Sequence, residues 1–159
     1  MRRTERKMTD RNDVLQVLRD AQELYIALNT GGAPYVVPVN FVLAGEDIYF
    51  HCATEGRKLE LLHSDPRIGF TAAVDIWVDK TTTRYRSVCG EGRAEFVTDD
   101  AERMKILKAF AARFKAPCHF PVSPEKMAIT AIIRIRMESL TGKYSHPDEG
   151  QRPMPHYER

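Results

Sequence analysis

The chain has 159 residues, 43% of them hydrophobic and 29% charged, which suits one packed domain and excludes a disordered chain. Against 24 Lys and Arg stand 22 Asp and Glu, a formal net charge of +2 that is too balanced for nucleic-acid binding by bulk charge. Three cysteines without CxxC spacing exclude a disulfide scaffold.

Thr9 or Asp10 can cap a helix over residues 11–21, where Val14, Leu15, Leu18 and Ala21 recur at helical spacing. The period then changes. Residues 24–29 read as a strand, followed by the turn signal Asn29-Thr30-Gly31-Gly32. A second strand is expected over 35–43 and, after the turn at 44–47, a third over 48–53. Residues 56–64 predict a short helix with Leu59 and Leu62 inward, stopped by Asp65-Pro66. Strands follow over 68–74 and 84–97; the segment 75–83 between them carries no clear pattern. Gly90 and Gly92 inside the long strand predict a bulge or a close backbone approach.

Asp99 or Asp100 caps a helix to about Arg113, with Met104, Leu107, Phe110 and Ala111 on one face. Residues 114–123, with Pro117 and Pro121, read as a loop and 124–127 as one helical turn. The last strand, 128–140, turns Ile133, Ile135 and Met137 inward and Arg134, Arg136 and Glu138 outward. Antiparallel connections predominate, so the pattern predicts a mainly β fold in which about six strands close into a small barrel with two to three peripheral helices. Residues 1–10 form a basic N-terminal arm, 11–143 the domain, and 144–159 a polar, Pro-containing tail. No apolar h-region follows the basic start and no stretch approaches the ~20 apolar residues that span a bilayer, so a cytoplasmic protein with reduced thiols is expected.

The standard signatures of dinucleotide, P-loop, hydrolase-elbow and zincin sites are absent. His51-Cys52 and Cys118-His119 are adjacent pairs; the first lies on a strand, where neighbours point to opposite faces, the second in a loop, where two ligands could be adjacent, but the set lacks zinc-site spacing, so no metal is expected. Three places stand out. At Thr54-Glu55-Gly56-Arg57-Lys58 a strand ends and a helix opens with two cations in its first turn. Cations are unfavourable there unless a phosphate or carboxylate sits among the free N–H groups; the alternative is an exposed turn whose cations face water. The stretch 84–93 (RYRSVCGEGR) concentrates cations, a cysteine and two glycines, and reads equally as a barrel rim or a solvated strand with a bulge. Pro38 cannot donate to a sheet ladder, so it must lie at an edge or bulge, where exposed backbone groups can bond a planar heterocycle.

Four segments in this order, 35–41 (YVVPVNF), 48–62 (IYFHCATEGRKLELL), 86–97 (RSVCGEGRAEFV) and 129–143 (ITAIIRIRMESLTGK), resemble the pyridoxamine 5′-phosphate oxidase-like FMN-binding split-barrel proteins. The branch they look most like is the Nim group, associated with nitroimidazole resistance. The resemblance implies a six-stranded antiparallel split β-barrel, a homodimer, and FMN at the subunit interface. By position, Val37, Pro38, Val39, Asn40 and Phe41 correspond to the strand whose backbone borders the isoalloxazine ring. His51 and Cys52 correspond to strand residues that approach the flavin, Gly56, Arg57 and Lys58 to the turn that grips the phosphate, and Ser87 to a polar residue near the flavin. His51 is the residue expected to take part in catalysis, by bonding the flavin or guiding a substrate. Pyridoxamine phosphate oxidases proper carry Ser-Arg-Lys where this chain has Gly56-Arg57-Lys58, so their reaction is not the one implied.

The implied function is an FMN-dependent oxidoreductase of the nitroimidazole-reductase type, acting on a small aromatic or nitro compound. Related split barrels bind the deazaflavin F420 instead, and His51 makes haem a further alternative. The competing readings are a flavin- or haem-binding module without turnover, in storage, sensing or electron transfer, and an interaction domain using the basic arm. Neither nucleic acid nor a membrane is an expected partner.

Overall fold

A computed structural model describes residues 4–79, 81–117 and 119–145. After a 3-10 turn at Thr4–Arg6, the elements run β1 (Lys7–Met8), α1 (Arg11–Asp20), β2 (Glu23–Leu28), β3 (Tyr35–Ala44), β4 (Asp47–Ala53), α2 (Arg57–Ser64), β5 (Arg67–Asp79), β6 (Thr82–Phe96), α3 (Asp100–Phe114), α4 (Pro124–Ala128) and β7 (Thr130–Tyr144). The strand order is β1-β7-β4-β3-β2-β5-β6, and β6 also pairs with β7. That last pairing closes β2 to β7 into a six-stranded antiparallel barrel, with β1 added beside β7.

The interior is apolar because alternate strand residues turn inward. Leu24, Ile26 and Leu28, Phe41, Ile48 and Phe50, and Ile133 and Ile135 are all 0–1% exposed. Asp10 caps α1, its carboxylate accepting from the Asn12 amide at 2.6 Å. The face bearing Val14, Leu15 and Leu18 then packs into this core, and Leu59 and Leu62 of α2 join it.

A second layer lies outside the barrel. Ile106 and Phe110 of α3, four residues apart, cover Val42, Tyr49 and Ile132. Sequence periodicity assigned Ile133 and Ile135 to the core but left Ile132 out, because β7 is buried on both faces where α3 crosses it. Ile106 was likewise missing from the predicted stripe. Polar bonds fix the same helix. The Tyr49 hydroxyl donates to Glu102 at 3.1 Å, and Arg134 pairs with Glu102 and, at 3.5 Å, Glu95.

Several boundaries differ from the pattern-based reading. Lys7 and Met8 of the N-terminal arm form a strand against Lys143 and Gly142, and the last strand runs on to Tyr144. Both glycines of the long strand lie against backbone. A Cβ at Gly90 would stand 2.6 Å from the Ser139 carbonyl oxygen, and one at Gly92 2.2 Å from that of Arg136, beside the register shift between Glu91 and Gly92.

From the unassigned segment, residues 77–79 and 82–83 belong to a two-stranded arm. β5 and β6 stay paired from Trp77 and Arg84 to Asp79 and Thr82, beyond a register shift between Val74 and Trp77. Asp75 sits in that shift with φ 53, and its carboxylate accepts from Arg86, which also bonds Asp20 of α1 at 2.8 Å. Arg2, Arg3, Cys118 and residues 146–159 of the expected tail lie outside the described residues. Among the described residues no helix is long and apolar enough to cross a membrane.

Candidate functional site

The barrel is parted at one place. β3 pairs with β4 only over Phe41–Ala44 and Asp47–Phe50. Beyond that, residues 35–40 of β3 keep β2 as their single neighbour, and residues 51–53 of β4 keep β7 as theirs. Two backbone edges therefore diverge from the Phe41–Phe50 pair toward α2. Pro38 falls in this half of β3, opposite Tyr25 of β2, with no register shift between the two strands. The proline thus occupies an edge rather than a bulge, which is where a residue without an N–H does least harm to a sheet. Within the segment 37–41, Val39 and Phe41 are buried, while Pro38 and Asn40 are exposed. A ligand at this edge meets backbone, proline ring and the Asn40 amide, and not the Phe41 ring.

At the far end of the β4 edge the chain turns into α2 through Gly56. Its φ of 115° and ψ of 166° lie in a region essentially confined to glycine. As N-cap it offers no side-chain acceptor; its carbonyl accepts from the Leu59 amide at 2.9 Å and the Glu60 amide at 3.2 Å. The Arg57 and Lys58 amides precede these and find no acceptor among the described residues, as the first amides of a helix do. The two cations stand over aromatic rings: the Arg57 guanidinium carbon is 5.1 Å from the Tyr35 centroid, and the Lys58 Nζ 5.4 Å from that of Phe50. Among the described residues no carboxylate pairs with either. Two cations without a carboxylate among the described residues, first-turn amides and the positive end of a helix dipole are the chemistry that suits an anion, and this turn is the candidate cradle.

His51 and Cys52 stand on opposite faces of β4. The thiol packs partly against the barrel core. The imidazole is on the outer face, edge-on to Phe110 with ring centroids 4.6 Å apart, and accessible to solvent. Partial burial first, and the Lys58 charge second, lower the His51 pKa from its ordinary 6.5, so the neutral imidazole prevails at pH 7. Burial raises the Cys52 thiol while Lys58 pulls it back, which does not favour a reactive thiolate. Lys58, held over the Phe50 ring, stands near enough to this end of β4 to act on both groups.

Ser87 lies elsewhere in the same chain. It pairs with Ala73 and with Lys143, whereas His51 pairs with Ile132. Eleven residues of β7 separate these levels, on the order of 35 Å if the strand were straight. One chain does not bring Ser87 to the Gly56 turn. Its neighbour Lys143 lies directly opposite Lys7, and neither ammonium has a carboxylate partner among the described residues.

The outward row Pro38–Tyr25–Thr71–Cys89–Thr141 crosses five strands in register. The shift at Asp75 puts Ile76 and Val78 on the same side as this row, Val78 being paired with Thr83. Among the described residues, four of the five exposed large hydrophobic ones, Tyr25 (46%), Val36 (55%), Ile76 (58%) and Val78 (72%), thus share one side of the sheet.

Motif reading found the cradle and the divergent edge. It missed Tyr35 and Phe50 as supports for the two cations, Phe110 beside His51, and Lys143 beside Ser87. Tyr35 opens the first and Lys143 closes the last of the four matching segments, the signal that pointed to them.

The family model for pyridoxamine 5′-phosphate oxidase matches residues 10–144. No curated protein matches the sequence. Among solved structures, a proposed 5-nitroimidazole antibiotic resistance protein from Bacteroides thetaiotaomicron is similar at TM-score 0.79 and 22% identity, over 87% of this chain and 86% of the other. An FAD- and haem-binding protein from Mycobacterium smegmatis gives 0.76 at 22% identity, over 91% and 76% of the two chains. An FAD-binding protein from Mesorhizobium loti gives 0.69 at 20%, over 89% and 98%. At these identities the likeness is one of fold.

Proposed function

This chain belongs to the pyridoxamine 5′-phosphate oxidase family, and from that premise we propose that it binds a flavin, FMN, and is an oxidoreductase of the nitroimidazole-reductase type acting on a small aromatic or nitro compound. The observation that carries this reading is the meeting of the unpartnered β3 and β4 edges with the Gly56-Arg57-Lys58 cradle. A flavin mononucleotide has a planar ring with hydrogen-bonding edges and a dianionic phosphate, and the site offers both counterparts. When bound, the flavin supplies the electron and hydride chemistry. The residues of the chain bind and orient. Arg57 and Lys58 neutralise the phosphate, the β3 backbone with Pro38 and Asn40 borders the ring, and the neutral His51 imidazole offers a donor or acceptor to ring or substrate. The family membership supports the flavin; the name of the Bacteroides thetaiotaomicron protein supports the nitro substrate.

The active form in this reading is a homodimer. A second copy packs on the face carrying Tyr25, Val36, Ile76 and Val78, and through it Ser87 of one chain approaches the cradle of the other. This accounts for why one chain holds the two parts of the expected site far apart.

Titration of the purified protein with FMN and with riboflavin tests the assignment. Replacing both Arg57 and Lys58 by Ala removes two charge-assisted bonds, each contributing on the order of 1.5–3 kcal/mol, so FMN affinity falls by tenfold or more per side chain, as an order of magnitude. Riboflavin, without the phosphate, is nearly unaffected. Equal losses for both ligands would mean that the change acts on folding and that the cradle does not hold the phosphate. A second reading, a flavin- or haem-binding module without turnover, is favoured by the accessible neutral imidazole of His51, a competent ligand nitrogen. A Soret band that disappears in His51→Ala supports it. Reoxidation of the flavin by a nitroaromatic after reduction with NAD(P)H supports the enzyme.

A further inference from the structure

We propose that Tyr35 is a positioning residue of the anion cradle, acting through Arg57; this rests on the phosphate assignment made above. Tyr35 opens β3 at the end of its unpaired edge, opposite Leu28 of β2. Arg57 opens α2 on the other side of the parting. The guanidinium carbon stands 5.1 Å from the Tyr35 ring centroid, so this contact bridges the two divergent edges.

Among the described residues the arginine has no other tether. It is exposed, and among the described residues no carboxylate pairs with it. A free arginine side chain samples many rotamers, and fixing it on binding costs entropy. A cation–π contact restrains the side chain beforehand, and with five N–H donors a guanidinium held over a ring still has donors to offer a phosphate. Pre-organisation of this kind raises affinity by lowering the ordering cost of binding. Lys58 over Phe50 is arranged in the same way, but Phe50 is 0% exposed and belongs to the barrel core, so its removal would disturb the fold. Tyr35 is only partly buried, which makes it the platform that can be changed alone.

The experiment measures FMN and riboflavin affinity for the full chain and for Tyr35→Phe, Tyr35→Leu, Arg57→Ala and the double variant Tyr35→Leu with Arg57→Ala. Tyr35→Phe keeps the ring face and binds FMN as the unsubstituted protein does. Tyr35→Leu loses about three- to fivefold in FMN affinity, the worth of an exposed cation–π contact, and nothing in riboflavin affinity. Adding Tyr35→Leu to Arg57→Ala costs nothing more, since the tyrosine acts only through the arginine. If Tyr35→Leu weakens FMN and riboflavin alike, the ring touches the flavin directly and the inference is overturned. If it weakens neither while Arg57→Ala still discriminates against FMN, the inference is overturned and the phosphate assignment survives. If Arg57→Ala itself does not discriminate, the phosphate assignment fails and takes the role of Tyr35 with it. Thermal melts of each variant confirm that the affinities refer to folded protein.

Discussion

Gly56→Ala isolates the backbone geometry of the cradle. A Cβ at this position meets nothing within 4 Å, so no steric clash contributes. The whole cost is that of holding an L-residue at φ 115°, ψ 166°, about 1–3 kcal/mol for a conformation of this class. That strain has two outlets. If the folded chain keeps the turn, stability falls by about the full amount, or some 2–12 °C in Tm for a domain of this size. If the turn relaxes, stability is spared, but FMN must restore the strained geometry, and its affinity falls by about 5- to 150-fold. The two losses therefore share one strain energy and sum to about 1–3 kcal/mol, while riboflavin affinity follows neither. Gly45→Ala is the control. It also has a positive φ, 66°, and open space around its Cβ, but it lies in the β3–β4 turn away from the cradle. Its cost appears in stability alone. Urea unfolding of both variants, with and without FMN, measures each share. A Gly56→Ala protein whose combined losses stay under about 0.5 kcal/mol would refute the claim that the glycine conformation is required.

The lowered pKa of His51 gives a pH signature. The unfolded chain, with the ordinary value of 6.5, takes up a proton more readily than the folded one, so neutral His51 favours folding above 6.5 and this advantage is lost as pH falls through the folded value. Unfolding curves at pH 8 and pH 5 should show the unsubstituted protein losing more stability on acidification than His51→Gln; an equal loss would place the imidazole in water (test pH values chosen at about 1.5 units either side of 6.5). Arg134→Leu leaves Glu102 without its cation, while Glu95 keeps Arg136 at 2.9 Å, and loosens α3, at on the order of 2 kcal/mol, between the exposed and buried limits for ion pairs; differential hydrogen exchange confined to α3 is the check. Ile76→Asp with Val78→Asp charges the exposed arm. Light scattering should then report a monomer with nearly unchanged monomer stability, and a persisting dimer would move the interface elsewhere.

Features governed by local period and local chemistry were readable from the chain alone. The α1 stripe of Val14, Leu15 and Leu18, the β3–β4 hairpin, and the inward Leu59 and Leu62 follow from spacing alone, because one face of each element is apolar and the other is not. The Gly56-Arg57-Lys58 turn was legible as a helix start, and two cations in its first turn stand out there because they run against the helix dipole. Pro38 announced an edge or a bulge, because a missing N–H is written in the residue type, and the strand pairing chose the edge. Tertiary structure decided the rest. Ile132 and Ile106 are buried only because α3 crosses the outside of β4 and β7, a contact between segments distant in sequence that no single period encodes. The arm over 75–86 depends on a phase shift at Asp75, held by an arginine that also reaches α1. Tyr35 meets Arg57, Phe50 meets Lys58 and Phe110 meets His51 only after the barrel has parted at Phe41 and Phe50. Ser87 and His51 were grouped on sequence, yet the register of β7 sets them far apart in one chain. Strand pairing is a long-range choice, and a sequence read one period at a time carries the faces of its strands but not their neighbours.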